Sequence, residues 1–281
     1  MSKIWFITGA NRGFGLEIAK AALAAGDRVV ATGRSVEALQ AAYAEIGNAD
    51  AVLCLPLDVS READAAHAVE QAVARFGRID VLVNNAGYGQ LGLYEEIAAA
   101  DIERQFATNV FGLMHVTRAV LPVMRRQRDG HVINIASVGG FRGFDGAAVY
   151  CATKFAVDGF SASLAPELAG FNIRVTVVEP GFFRTDFLDA SSVRYGTTAI
   201  ADYAALPTPP LSTYEAYNHQ QPGDPARLGR AFVELAAMAR PPLHFVAGSD
   251  ALGMARETFG QRLAEVEAHA ALSASLDRDA G

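Results

Sequence analysis

A chain of 281 residues with 51% hydrophobic content has the length for one large α/β domain, or at most two small ones, and the material for a sizeable core. A formal net charge of −7 argues against a nucleic-acid footprint, and the one local basic cluster, Arg125, Arg126 and Arg128, falls at an expected helix end where cations suit the dipole. No apolar run reaches the roughly 18 residues of a membrane span, so a membrane protein is not expected.

Lys3-Ile4-Trp5-Phe6-Ile7-Thr8 opens the chain as a short run of β-forming residues, a buried strand that leaves no room for a secretory leader. Gly9-Ala10-Asn11-Arg12-Gly13-Phe14-Gly15 follows at once, then a helix over Leu16 to Ala25 ended by Gly26. Strand, glycine turn and helix form the context that a phosphate-binding loop requires. Gly9 permits the tight turn, Gly13 admits a pyrophosphate close to the backbone, and Gly15 lets the helix pack on the strand. The spacing is Gly-x-x-x-Gly-x-Gly, which departs from the general dinucleotide fingerprint.

Further strands are predicted at Arg28–Thr32, Val52–Leu57, Val81–Asn84, His131–Ala136, Arg174–Val178 and Leu243–Val246. Alanine-rich helices separate them at Val36–Glu45, Glu62–Phe76, Ile102–Arg126, Tyr150–Ala169 and Ala226–Ala239. Strands that read as unbroken Val/Ile/Leu runs are buried on both faces, and helical crossovers imply parallel pairing. The expected fold is a single α/β domain over 1–281, a Rossmann-like, doubly wound, parallel sheet of seven strands. Two stretches break the alternation. Phe182 to Pro225 is long and irregular, with Pro207, Pro209 and Pro210 among aromatics, as substrate lids are. Ala251 to Gly281 is a C-terminal helical extension with a frayed end. Cys54 and Cys151 lie in unlike contexts, so they are expected to pack as small hydrophobes in a cytoplasmic protein.

Tyr150 and Lys154 are four residues apart on one helix face, and Ser137 lies thirteen residues before the tyrosine. A free tyrosine titrates near about 10 and transfers protons poorly at neutral pH. A lysine charge about 4 Å away, at an effective dielectric of about 20, favours the phenolate by roughly 4 kcal/mol. At about 1.4 kcal/mol per unit, that attraction would bring the phenol to about 7, where it serves as acid or base without a metal.

Thr8 to Gly15, Asn84-Asn85-Ala86-Gly87, Asn109, Ser137, Tyr150-x-x-x-Lys154 and Pro180-Gly181 occur in this order. Together they closely resemble the compact branch of the short-chain dehydrogenase/reductases, over about Lys3 to Ala247. The resemblance implies an oxidoreductase that moves hydride between a nicotinamide dinucleotide and a carbonyl or secondary alcohol. It makes Tyr150 the proton donor and acceptor, and Ser137 the group that stabilises the substrate oxygen. Lys154 acts on the tyrosine and on the nicotinamide ribose, and Asn109 matches a proton-relay asparagine. It further implies cofactor contacts from Gly9, Asn11, Arg12, Gly13, Phe14 and Gly15, from Asp58 and Val59 at the adenine, and from Asn85, Ala86 and Gly87 at the adenosine ribose. Pro180, Gly181, Phe183 and Thr185 fall at the nicotinamide amide.

Family members that use NAD carry an acid at the end of the second strand, which bonds the ribose 2′-hydroxyl. Here that position is Gly33, followed by Arg34, and Arg12 is a second cation, so NADP(H) is the expected cofactor. The substrate pocket is expected to be apolar, with Tyr88, Phe141, Phe144, Phe182, Phe187 and Tyr195 as linings. A homodimer through the helices Ile102–Arg126 and Tyr150–Ala169 is also implied, with Phe106, Val110, Met114, Phe155 and Phe160 as its apolar surface. The alternative is a dinucleotide-binding regulator or redox sensor without turnover, although such relatives usually lose the serine, tyrosine or lysine that this chain keeps.

Overall fold

All five residues of Ile4–Thr8 are buried and form β1. In this computed structural model, residues 2–46, 49–189, 192–205, 214 and 218–278 are described. Helix α1 (Gly13–Ala24), β2 (Arg28–Gly33), α2 (Val36–Tyr43), β3 (Val52–Pro56), α3 (Glu62–Phe76) and β4 (Val81–Asn84) follow in strict alternation. After β5 (Gly89–Leu91) come α4 (Ala99–Phe106), a π-helical turn (Ala107–Gly112), α5 (Leu113–Gln127), β6 (Gly130–Ile135), α6 (Ala148–Ala169) and β7 (Ile173–Pro180). The chain closes with β8 (Val193–Tyr195), α7 (Pro225–Ala237), β9 (His244–Ala247), α8 (Ser249–Ala268) and α9 (Ala270–Ala274).

Seven strands form one sheet in the order β3-β2-β1-β4-β6-β7-β9, and every pairing in it is parallel. The order reverses between β1 and β4, the switch point at which open α/β sheets bind ligands. Alternation along each strand divides the core in two. Ile4, Phe6, Val30, Leu82 and Val132 pack under α3, α5 and α6. Trp5, Ile7, Val29, Val83 and Ile133 face the opposite layer, where Ile18, Leu39 and Phe232 of α1, α2 and α7 cover them. Both Trp5 and Phe6 are fully buried, so successive residues of one strand each contribute about 1.5–3 kcal/mol to a different core.

Three expectations change. The predicted helix Ile102–Arg126 is interrupted by the π-helical turn at Ala107–Gly112. The stretch read as irregular from Phe182 supplies β8, which pairs in parallel with β5 as a small second sheet. The prolines at 207, 209 and 210 lie outside the described residues. Phe141, expected in the substrate pocket, is instead buried against Phe259 of α8, with ring centroids 5.2 Å apart.

Candidate active site

The carboxyl ends of β1, β2, β4, β6 and β7 converge on a cleft of about 880 Å³. Its walls include Gly9, Asn11, Arg12, Gly13 and Phe14 after β1, and Gly33 and Arg34 after β2. Asp58 and Val59 follow β3, and Asn85, Ala86 and Gly87 follow β4. Ser137, Tyr150 and Lys154, with Pro180, Gly181, Phe183 and Thr185, complete the set. Of the residues singled out in the sequence, Gly15 and Asn109 do not line the cleft; both act from behind it.

The glycine loop is shaped by close approach. Gly9 and Gly13 adopt φ of +63° and +54°, a region that disfavours side chains. A Cβ on Gly15 would collide with the Gly9 carbonyl, so that glycine sets the distance between α1 and the loop. The hydroxyl of Thr8 accepts hydrogen bonds from the Asn85 and Ala86 N–H groups, both at 2.9 Å. The Asn85 amide donates back to the carbonyls of Thr8 and Gly9 at 2.8 and 3.0 Å. The ends of β1 and β4 are thereby held together at the switch point. No side chain caps the N-terminus of α1, whose N-cap is Arg12. Exposed helix amides behind a glycine turn fit the pyrophosphate of a dinucleotide.

Asp58 turns its carboxylate onto its own loop, accepting from the Ser60 N–H at 3.0 Å and the Ser60 hydroxyl at 2.7 Å. Val59 packs on Gly112 of the π-helical turn, where a Cβ would meet the valine side chain at 2.6 Å. Arg34 is exposed at the end of β2 and makes no ion pair among the described residues. At Gly33 an added Cβ would meet only Asn11 and Leu39 atoms at 3.7 Å, an ordinary contact.

The π-helical turn aims Asn109 inward. Its Oδ1 accepts from the Tyr88 N–H at 3.1 Å, and its Nδ2 donates to the Tyr88 carbonyl at 2.9 Å and to the Thr153 hydroxyl at 3.2 Å. Thr153 in turn donates to the Tyr150 carbonyl at 2.7 Å. Asn109 thus joins the β4 loop to the first turn of α6. Its side chain makes these bonds to Tyr88 and Thr153, and none to Lys154 among the described residues. Widened helical turns of this kind recur at functional sites.

Ser137 follows β6. Its hydroxyl accepts from the Gly139 N–H at 3.1 Å and acts on the Tyr150 phenol, favouring the phenolate. The Tyr150 ring lies 5.5 Å, centroid to centroid, from that of Phe187. The Lys154 ammonium donates to the Ile135 carbonyl at 2.8 Å and sits 5.8 Å from the centre of the tyrosine ring. Burial pushes that ammonium down to about 8. Burial also holds the Tyr150 phenol above its ordinary range, with the Ser137 hydroxyl pulling the other way. The neutral-range phenol expected from a lysine about 4 Å away is therefore corrected. The ammonium is turned to a main-chain carbonyl, and desolvation outweighs its attraction.

Beyond Tyr150 the wall includes Leu91, Phe144, Phe182, Phe187, Tyr195 and Tyr214, with Asp186 and Arg194 among them. The sequence reading missed Leu91, Tyr214 and Gln221, which reach the cleft through β5 and the segment after β7. Only the aromatic character of that segment hinted at them.

The family model for short chain dehydrogenases matches residues 3–195. Oxidoreductase BOA17 of Botryotinia fuckeliana is 38% identical over 252 residues, covering 90% of this chain and 91% of that protein. A short-chain dehydrogenase from Streptomyces avermitilis superimposes with a TM-score of 0.88 at 36% identity, with 99% of each chain covered. A short chain dehydrogenase/reductase from Burkholderia phymatum in complex with NAD has a TM-score of 0.79 at 26% identity, covering 91% and 92%. A serine dehydrogenase complexed with NADP+ has a TM-score of 0.73 at 31% identity, covering 86% of this chain and 93% of that one. The motifs, the sheet order, the cleft and these likenesses agree: the chain belongs to the short-chain dehydrogenase family of oxidoreductases.

Proposed function

We propose that this oxidoreductase is an NADP(H)-dependent carbonyl reductase or alcohol dehydrogenase in which Tyr150 is the general acid and base. The observation that carries the reading is the convergence of Ser137, Tyr150 and Lys154 on one cleft wall, with the buried Lys154 ammonium anchored to the Ile135 carbonyl. A nicotinamide dinucleotide held in the cleft would supply or accept the hydride. Ser137 holds the substrate oxygen and stabilises the charge that develops on it. Tyr150 passes its phenolic proton to that oxygen in reduction and removes the alcohol proton in oxidation. Lys154 supports the phenolate as it forms and binds the ribose hydroxyls. Asn109 positions the turn that carries Tyr150 and belongs to the relay that returns a proton to Lys154.

Arg12 and Arg34, with no acid at Gly33, support a 2′-phosphate and hence NADP(H). Asp58 and Val59 serve the adenine, Asn85, Ala86 and Gly87 the adenosine ribose, and Pro180, Gly181, Phe183 and Thr185 the nicotinamide. Aromatic walls favour an apolar carbonyl compound. The test is Tyr150→Phe, which keeps the ring and removes the proton. Turnover of an aryl-ketone panel with NADPH should be abolished through kcat while NADPH affinity barely changes. A variant that keeps most of its activity would remove Tyr150 from this role.

The segment 182–225 is proposed to close over the substrate and exclude water from the hydride path. Its described part is pinned to the frame at Leu91 and joined to itself near its two ends. Gly196 donates to the Leu91 carbonyl at 2.9 Å, and Phe183 bridges to Gly223. Residues 190–191, 206–213 and 215–217 lie outside the described residues. Cleavage within 182–225 by a protease should fall when NADP+ and substrate are added, and equal cleavage in both states refutes closure.

A further inference from the structure

Outside the reaction cleft, three groups with metal-binding atoms meet between α6, β7 and β9. Asp158 lies one helical turn beyond Lys154, and Glu179 is the penultimate residue of β7, before Pro180. Parallel pairing sets Val177 opposite His244 and Glu179 opposite Val246. Alternation then turns Glu179 and His244 to the sheet face that α6 covers. One ligand atom from each of Asp158, Glu179 and His244 lies within 4.8 Å of the other two. His244 Nδ1 is 3.2 Å from Asp158 Oδ1.

Glu179 is only 2% exposed, yet no hydrogen bond reaches its carboxylate among the described residues. A buried carboxylate without donors is costly, and a second one beside it adds repulsion. Burial, then the neighbouring Asp158, push the Glu179 carboxyl up to about 7. Arg262 of α8 acts on Asp158 from one side, while its guanidinium also donates to the Phe141 carbonyl.

We propose that Asp158, Glu179 and His244 bind a divalent transition-metal ion of the zinc class. One imidazole nitrogen with two carboxylate oxygens suits zinc, cobalt or manganese better than magnesium or calcium, which favour all-oxygen shells. His244 is half exposed, which leaves an entry route and an outward position for water. A dication offsets both carboxylates at once. It would also brace α6, which carries Tyr150 and Lys154, against the end of β7 that runs into the cleft.

The test uses the full chain, dialysed against chelator and titrated with zinc chloride by calorimetry, with bound metal counted after gel filtration. A single ion per chain and a higher melting temperature are expected. Glu179→Gln, nearly isosteric, and His244→Ala should each weaken binding by about tenfold or more. His219→Ala should not, because it alters a separate Asp186, Asp189 and His219 cluster beside the cleft. Asp158→Asn stands in should either of the first two variants fail to fold. Absence of zinc binding, binding that survives those substitutions, or binding lost only with His219→Ala overturns the assignment. None of these readouts depends on turnover, so they stand apart from the reaction proposed for the cleft.

Discussion

Lys154 and Ile135 are joined by a 2.8 Å hydrogen bond from a buried ammonium to a strand carbonyl two residues before Ser137. One contact thus ties the helix that bears Tyr150 to the strand end that leads to Ser137 in the same cleft wall. The same burial sets the electrostatics, lowering the lysine and raising the tyrosine.

A pH dependence follows from those two directions. Carbonyl reduction needs the protonated phenol, which a raised pKa keeps available throughout the neutral range. Its kcat should stay flat until Lys154 begins to lose its proton near about 8. Alcohol oxidation needs the phenolate, so its rate should climb by about tenfold per pH unit through neutrality without levelling off. Steady-state profiles in both directions provide the check. An oxidation profile already flat by about pH 7 would mean that the bound cofactor and lysine overcome the desolvation seen here.

Asn109, itself buried, makes two hydrogen bonds to the Tyr88 backbone and one to Thr153. Asn109→Ala leaves those groups unpaired at a cost of about 1–3 kcal/mol. In a chain of this size that is a fall in melting temperature of a few degrees at least, at about 2–4 °C per kcal/mol. Asn109→Asp keeps the acceptor to Tyr88 but replaces the amide donors, and should fall between the two. Calorimetry that finds Asn109→Ala as stable as the parent would contradict the structural pairing.

The sheet was legible because its strands are buried on both faces and so appear as unbroken apolar runs. Val81–Asn84 and Glu62–Phe76 match residue for residue. The cleft-lining residues after each strand were legible too, since glycine turns and strand ends mark them. What stayed hidden lacks a local signal. The π-helical turn adds one residue to a helix whose composition does not change. Strands β5 and β8 are three residues each, and their pairing joins Gly89 to Val193 across the sequence. The Lys154 geometry was misread because position i+4 sets a face of the helix, whereas the carbonyl that the ammonium reaches belongs to another element.

Assembly as a homodimer through α5 and α6 makes a prediction at two aromatics. Phe155, expected at the interface, is 38% exposed, whereas Val110, also expected there, is buried; Phe111 in the π-helical turn, not singled out in the sequence, is 52% exposed. Phe111→Glu with Phe155→Glu should shift a dimer toward monomer in light scattering, because buried charge at a two-fold contact is doubled. A parent protein that runs only as a monomer removes this interface.

The proposed preference for NADP(H) predicts an effect where β2 ends. Gly33 has an ordinary backbone conformation and room for a Cβ, so Gly33→Asp is expected to fold. Its carboxylate would offer an acceptor to a ribose 2′-hydroxyl and repel a 2′-phosphate. In the parent, NADPH should bind at least about tenfold tighter than NADH, since one charge-assisted pair is worth about 1.5–3 kcal/mol. Arg34→Ala should narrow that gap, and Gly33→Asp with Arg34→Ala should reverse it. Fluorescence titration with both cofactors reads the ratio directly. Equal affinities in the parent, or a ratio that Arg34→Ala leaves unchanged, would show that the arginines only solvate the surface and that NAD(H) is the cofactor to pursue.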